Sequence, residues 1–403
     1  MRTRHPGFSL IELMIAVLIG TLAMVFVMRT TIGFETNRRG SIGGSDSMQN
    51  GVVALFSMEN DAAQSGWGLN DDLLLGCAAR FFDSQNYANA NTGGGIAFTL
   101  APVSVVFNGA NPDQISFASG TSDAGTGSLG LSVSAPAGST SLSFNNFPFG
   151  FKFRDVLAIA PTTAGGTCAT PAVAGSCCAI AQISAAPIPA TTTLNIASDG
   201  TTATRFNSGG GLLAAFGGTG QAKVFNLGDG NSLLFHTWDV NNGVLRLRAT
   251  DLSGASNAPA SAVSGIVSIK ALYGFDTRAG AAFTPNLGLQ IGRWSAAMLD
   301  VDGDGIVGSS GDYQRLAAMR LAVVARSRES EKPDASGTCP NTTTVLPTVF
   351  SSQEPSAIAT VMTAGNPGIP VNVAVAGDPI DWTCYRYRVS ETIVPLRNTG
   401  WKP

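Results

Sequence analysis

Residues 1–28, MRTRHPGFSLIELMIAVLIGTLAMVFVM, decide the fold: a short basic leader ends at Gly7, and an apolar run of membrane length starts straight after it. From Phe8 to Met28 there are 21 residues, which at about 1.5 Å rise per residue span the roughly 30 Å hydrocarbon core as a helix. The run holds one carboxylate, Glu12. A carboxylate inside a bilayer costs roughly 2.5–3.5 kcal/mol, so it persists where a partner or a function offsets that cost. The plainer alternative is a first-turn glutamate favoured by the helix dipole and close enough to the interface to snorkel. A secretory signal peptide would close with a small-residue cleavage site. None is evident near Met28, so the segment is expected to remain as an anchor. Arg2, Arg4 and His5 precede the span while Arg29, Arg38 and Arg39 follow it, so positive charge alone does not orient it.

Gly7-Phe8, Glu12 and the unbroken apolar run together resemble the leader of type IV prepilins and of type II secretion pseudopilins. The resemblance implies that a prepilin peptidase cuts after Gly7 and methylates the new N-terminus, Phe8. It also implies that Glu12, four residues further on, meets the terminal amine of a neighbouring subunit during assembly.

Beyond the membrane the helix is expected to run to about Gly66, with a weak point at Gly40, Gly43 and Gly44. Met48, Val52, Leu55 and Phe56, then Ala62 and Ala63, recur at spacings of three and four, an apolar stripe to lay on a globular body. Residues 1–7 therefore read as leader, 8–35 as transmembrane and assembly helix, 36–66 as packed amphipathic helix and 67–403 as body. Beyond Gly66 short strands alternate with turn signals. They are expected at 96–100, 103–107, 114–118, 141–144, 156–160, 179–184, 193–197, 232–237, 244–249, 266–272, 319–326 and 385–394, with a short helix near 313–318. Asn242-Gly243 is a strong hairpin turn. The Gly/Ser/Thr-rich stretches 119–140, 161–177 and 198–220 read as surface insertions. The fold class is α+β, a long N-terminal helix on a large β-rich body.

Six cysteines, Cys77, Cys168, Cys177, Cys178, Cys339 and Cys384, all lie beyond the anchor, and their even number suits an oxidising compartment outside the inner membrane. Reduced, buried thiols are the alternative. Adjacency disfavours a bond between Cys177 and Cys178, and Cys339–Cys384, flanking the last loop, is the favoured pair. No cysteine or histidine spacing suggests zinc. Charged residues make up 13% of the chain against a usual figure of about 25%, and the net charge of −3 offers no electrostatic reason to expect nucleic acid.

Several segments resemble the PilW group of type IV pilus assembly proteins, which are minor pilins. The resembling pieces are GFSLIELM, ALFSMENDAAQSGWG with Cys77 after it, RDVLAIAP followed by CCAIAQIS, AKVFNLG, VSGIVSIKALYGFDT, MRLAVVARSRE and VSETIVPLRN. The match runs in patches over nearly the whole chain, and the long Gly/Ser/Thr loops and an aspartate-rich insertion near residue 300 depart from it. The resemblance implies a type IV pilin-like fold. It further implies a place near the pilus tip and partnership with other minor pilins, the major pilin, the inner-membrane assembly platform and a tip adhesin.

That insertion is the one metal-like constellation. Asp300, Asp302 and Asp304 alternate on a glycine turn and Asp312 returns, which offers several hard oxygens to a calcium ion. An EF-hand closes with an acidic residue at its twelfth position, here Gly311. A bacterial calcium loop of another fold accommodates the extra residue, and an exposed Asp-Gly turn is the alternative. GTGSLG at 125–130 matches G-x-G-x-x-G but leads into alternating Leu131-Ser132-Val133-Ser134 rather than a helix, so it is no dinucleotide site. Of two histidines, His5 leaves with the leader, and His236 reads as a structural mid-strand residue. The function expected is therefore non-catalytic: a minor pilin held by one span in the inner membrane before assembly and on the pilus afterwards. A minor pseudopilin of a type II secretion system is the alternative, and an envelope-tethered enzyme lacks a visible constellation.

Overall fold

The structure, a computed structural model, describes residues 9–399 apart from 70, 92–93, 122–126, 163–177, 190, 202–203, 332–335, 337–338, 340–344 and 352–367, and apart from the side chains of 35–37 and 39–42. Helix α1 (Leu10–Gln64) is 55 residues long, about 82 Å at 1.5 Å per residue. It passes through Gly40, Gly43 and Gly44 without a break, contrary to the expected weak point. Its first half stands clear of the body, and its second half buries Gly43, Ser47, Gly51, Ala54, Met58 and Ala62.

This is not the whole stripe expected from the sequence. Ala62 is buried and Leu55 half-buried, but Met48, Val52, Phe56 and Ala63 are exposed. Close approach selects the face. A Cβ on Gly51 would stand 3.2 Å from Ser390 Oγ and 3.5 Å from Ala325 Cβ, and one on Gly43 would stand 3.1 Å from Ser327 Cβ. Small residues thus let the helix axis settle onto two strands, and the bulkier stripe beside them is left outward.

The first strands of the body are β1 (Cys77–Phe81), β2 (Ile96–Leu100), β3 (Val103–Val106), β4 (Gln114–Ser119), β5 (Ser128–Gly130), β6 (Ser141–Ser143), β7 (Asp155–Pro161), β8 (Cys178–Gln182) and β9 (Thr193–Asn195). They are followed by β10 (Ala222–Asp229), β11 (Leu234–Asn241), β12 (Val244–Ala249), β13 (Ala260–Ser264), β14 (Ile266–Phe275), β15 (Arg293–Ser295), β16 (Leu316–Arg326), β17 (Thr348–Val349), β18 (Ile369–Pro370) and β19 (Tyr387–Pro395). Three larger sheets have the orders β2-β1-β8-β7-β10-β5, β13-β12-β11-β4-β3 and β15-β14-β16-β19. The turn between β11 and β12 is the expected hairpin, with Asn242 and Gly243 at φ 50° and 74° as a type I′ turn demands.

Strands β14 and β16 are buried along nearly their whole lengths and carry apolar residues on both faces. Ile269, Ala271, Tyr273, Leu321 and Val323 join Ala54, Met58 and Ala62 of the helix in one core, while Leu272, Ala322 and Val324 enter another with Phe350 and Val371. The other two sheets share a core around Phe81, Phe206 and Phe235.

A further core corrects the reading of the Gly/Ser/Thr-rich stretches. Leu131 and Ala135 from the first, and Leu212, Ala214 and Phe216 from the third, are buried against Leu157, Ile159 and Val224, so these stretches are in part a packed lobe. Sparse apolar residues on extended backbone suffice because β6, β9 and the six-stranded sheet close around them. Residues 163–177 lie outside the described part. The expected short helix falls earlier, as α2 (Ser310–Gln314), and Leu316 already opens β16.

Candidate functional site

The outward face of the N-terminal helix is the first candidate. Leu10–Phe34 has mean hydropathy 2.6 and is exposed throughout, long and apolar enough by itself to cross a membrane. Glu12 lies in its first turn, exposed, two residues into the helix. Gly7 and Phe8 fall outside the described residues. Further along, Met48, Val52, Val53 and Phe56 are between 51% and 62% exposed, so the apolar outer surface resumes on the packed half.

The aspartate loop is the second. Carboxylate oxygens of Asp300, Asp302 and Asp304 all lie within 4.8 Å of one another, on exposed side chains. Each also closes a local turn: Asp300 accepts from the Gly303 and Gly305 N–H groups, Asp302 from Asp304 N–H and Asp304 from Ile306 N–H. Asp312 is not in that cluster. It caps α2 with Ser309 and, fully buried, accepts backbone N–H bonds from Val301 at 2.6 Å and Gly308 at 2.8 Å, with longer ones from Asp302 and Ser309. Burial pushes its carboxyl up against the pull of those donors. Asp312 therefore shapes the loop from beneath, and three hard, converging carboxylates are what is left for a divalent cation.

Disulfides fix two joints in the body. Cys77 is bonded to Cys178, tying β1 to the parallel β8, and Cys339 is bonded to Cys384 just before β19. Among the described residues no cysteine is free, and Cys168 and Cys177 lie outside them.

A polar clamp escaped sequence reading. His236 on β11 is gripped from both ring nitrogens, Nδ1 by Asp61 Oδ2 at 2.9 Å and Nε2 by Asp251 Oδ1 at 2.7 Å, while Trp238 Nε1 donates to the same Asp61 oxygen at 2.6 Å. Asp61 sits in the last turn of α1, so the clamp fastens the helix end to the five-stranded sheet. The period of two that puts His236 and Trp238 on one strand face was legible. Asp61, 175 residues away, carries no local signal that it would be the partner.

Burial alone would lower the histidine's pKa. The two carboxylates, Asp251 and then Asp61, more than reverse this and raise it to about 9. Raised pKa means the charged form is the stabilising one, so its contribution is complete below the unfolded value of about 6.5 and fades as pH climbs towards 9. The stability of the detergent-solubilised chain is expected to fall over that window by on the order of 3 kcal/mol, and its melting temperature with it. His236→Gln should be less stable at pH 6 and lose most of the slope; an unchanged slope in the variant would assign the pH dependence elsewhere. With both ring nitrogens committed to carboxylates, His236 is not placed to serve a nucleophile.

Comparison with known proteins places these features. The family described as "Type IV Pilus-assembly protein W", PilW, matches residues 236–398, and the "Prokaryotic N-terminal methylation motif" matches residues 2–28. No curated protein matches the chain in sequence. Among solved structures, the Type IV-like pilin TTHA1219 from Thermus thermophilus is similar at 14% identity over 42% of this chain and 70% of that one, with a TM-score of 0.20.

Proposed function

We propose that this chain, which matches the PilW model over residues 236–398 and the N-terminal methylation motif over residues 2–28, is a PilW-type pilus-assembly protein that works as a minor pilin incorporated near the pilus tip, promoting assembly without catalysing a reaction. The observation that carries the reading is the fully exposed apolar helix Leu10–Phe34 with Glu12 in its first turn, continued by the exposed Met48, Val52, Val53 and Phe56. A soluble monomer has no use for so much uncovered apolar surface. Lipid covers the first part before assembly, and neighbouring pilin helices cover it afterwards. Under this reading prepilin peptidase cuts after Gly7 and methylates Phe8, and the body faces the periplasm, where Cys77–Cys178 and Cys339–Cys384 are stable. Other minor pilins, the major pilin, the inner-membrane platform and a tip adhesin are its partners. Deletion of the gene is expected to remove surface pili and twitching while type II secretion continues. Normal piliation with failed secretion would transfer the protein to the other machine.

The aspartate loop is proposed to hold a structural calcium ion through Asp300, Asp302 and Asp304, with Asp312 fixing the loop's backbone. Calcium supplies positive charge to three carboxylates that otherwise repel one another. At affinities common for extracellular modules, millimolar calcium should stabilise the chain by about 1–2 kcal/mol. Asp302→Ala with Asp304→Ala should abolish that response and leave the calcium-free fold near its starting stability. Calorimetry without binding heat, together with melting indifferent to chelator, would leave the loop a solvated turn.

A further inference from the structure

The end of the long helix opens onto a cavity of about 640 Å³ that no part of the assembly account uses. Its wall is assembled from distant segments: Gln64 and Trp67 at and just after the helix end, Ser119 to Thr121 at the end of β4, Asn231, Ser232 and Leu234 leading into β11, Asp251 after β12, and Asn398. Trp67 is 43% exposed, and its Nε1–H donates to Thr121 O at 2.8 Å, so the indole is held in place at the wall rather than free to swing. Asn231 Oδ1 accepts from Arg154 Nη2 at 2.8 Å, which leaves its amide nitrogen as a donor. Asn398 Nδ2 donates to Gln64 O and Ser65 O, anchoring that amide to the helix end. Asp251 keeps a side chain 31% exposed while one oxygen accepts from His236.

The chemistry of this lining is selective. A pinned aromatic face surrounded by short amide, hydroxyl and carboxylate groups, with no cation among the lining residues, suits neither an anion nor a purely apolar ligand. It suits a molecule with one weakly polar C–H face to lie on the indole and a rim of hydroxyls to donate and accept around it. The negative π face attracts the polarised C–H bonds of a pyranose ring, and planar amides and carboxylates meet vicinal hydroxyl pairs with two bonds each. We propose that this cavity is a binding site for an uncharged saccharide, with Trp67 as the stacking platform and Gln64, Asn231 and Asp251 as hydrogen-bonding groups. Because its wall joins the helix end to two sheets, an occupied cavity also braces the helix against the body.

The test is titration of the full-length chain in detergent with cellotriose, maltotriose, lactose and triacetylchitotriose, followed by tryptophan fluorescence and saturation-transfer NMR. At least one is expected to bind saturably at millimolar concentration or below, with Trp67→Ala weakening it about five- to tenfold and Trp67→Phe retaining most of the affinity. Gln64→Ala, on an exposed side chain that the fold does not need, should weaken it several-fold at unchanged melting temperature. Absence of saturable binding by all four sugars, equal affinity in folded Trp67→Ala and Gln64→Ala, or capture of an extended peptide in place of any sugar would each overturn the assignment.

Discussion

Glu12→Val is expected to leave the protein full-length, stably held in the membrane and absent from sheared pili. Valine removes a carboxylate that costs roughly 2.5–3.5 kcal/mol inside the bilayer, so the span becomes a better anchor, not a worse one. Helix formation is not at stake either. Residue 12 lies in the first turn of a 55-residue helix whose second half is tied to the body through Ala54, Met58 and Ala62. Whatever is lost must then be an interaction of the carboxylate outside its own chain, because within the chain Glu12 is exposed. Fractionation supplies the measurement: the variant in the inner-membrane fraction at wild-type level, with none in pili. Incorporation equal to wild type would reduce Glu12 to a residue of the helix start and remove the main support for its assembly role.

Asp113→Ala should be the most damaging single change in the body. Asp113 and Lys270 have no exposed side-chain surface and are paired at 2.5 Å, and the ammonium also donates to Asn111 O and lies 4.4 Å from the Phe107 ring. The same carboxylate accepts from Asn108 N–H and Ala271 N–H. It therefore holds the β3–β4 hairpin of one sheet against the centre of β14 in another. Desolvation pushes Asp113 up and Lys270 down in pKa, each held back by the other. Removing one partner strands a buried ammonium and two N–H groups, a loss of about 3–5 kcal/mol. Replacing both, as Asp113→Asn with Lys270→Met, should recover much of it, since a neutral pair needs no counter-charge. Denaturation midpoints of the two variants test this, and Asp113→Ala within about 1 kcal/mol of wild type would mean that water reaches the site.

Local rules governed what was legible. An apolar run of membrane length, a carboxylate in its first turn, short strands with turn residues and an Asn-Gly hairpin each depend on residues close together in the chain, and all four appear in the folded molecule. The alternate placement of Asp300, Asp302 and Asp304 was equally local, and those carboxylates do converge. Strand β10, with apolar residues interrupted by Asn226 and Gly228, escaped because its burial comes from β7 and β5 on either side and not from its own pattern.

The sequence by itself determined the anchor, the helix and the β character of the body, because helix period, strand period and hydrocarbon thickness act over a few turns or residues. Tertiary structure decided which face of α1 packs, since the choice between the Gly43–Ala62 row and the Met48–Phe56 row depends on how closely β16 and β19 approach. It decided that Asp312 turns inward to backbone N–H groups instead of joining the other three aspartates. The same holds for the polar joints Asp61–His236, Asp83–Arg205 and Asp113–Lys270, whose members are 175, 122 and 157 residues apart. A charged residue is exposed or buried according to the partner that the topology brings to it, and no window of neighbouring residues contains that partner.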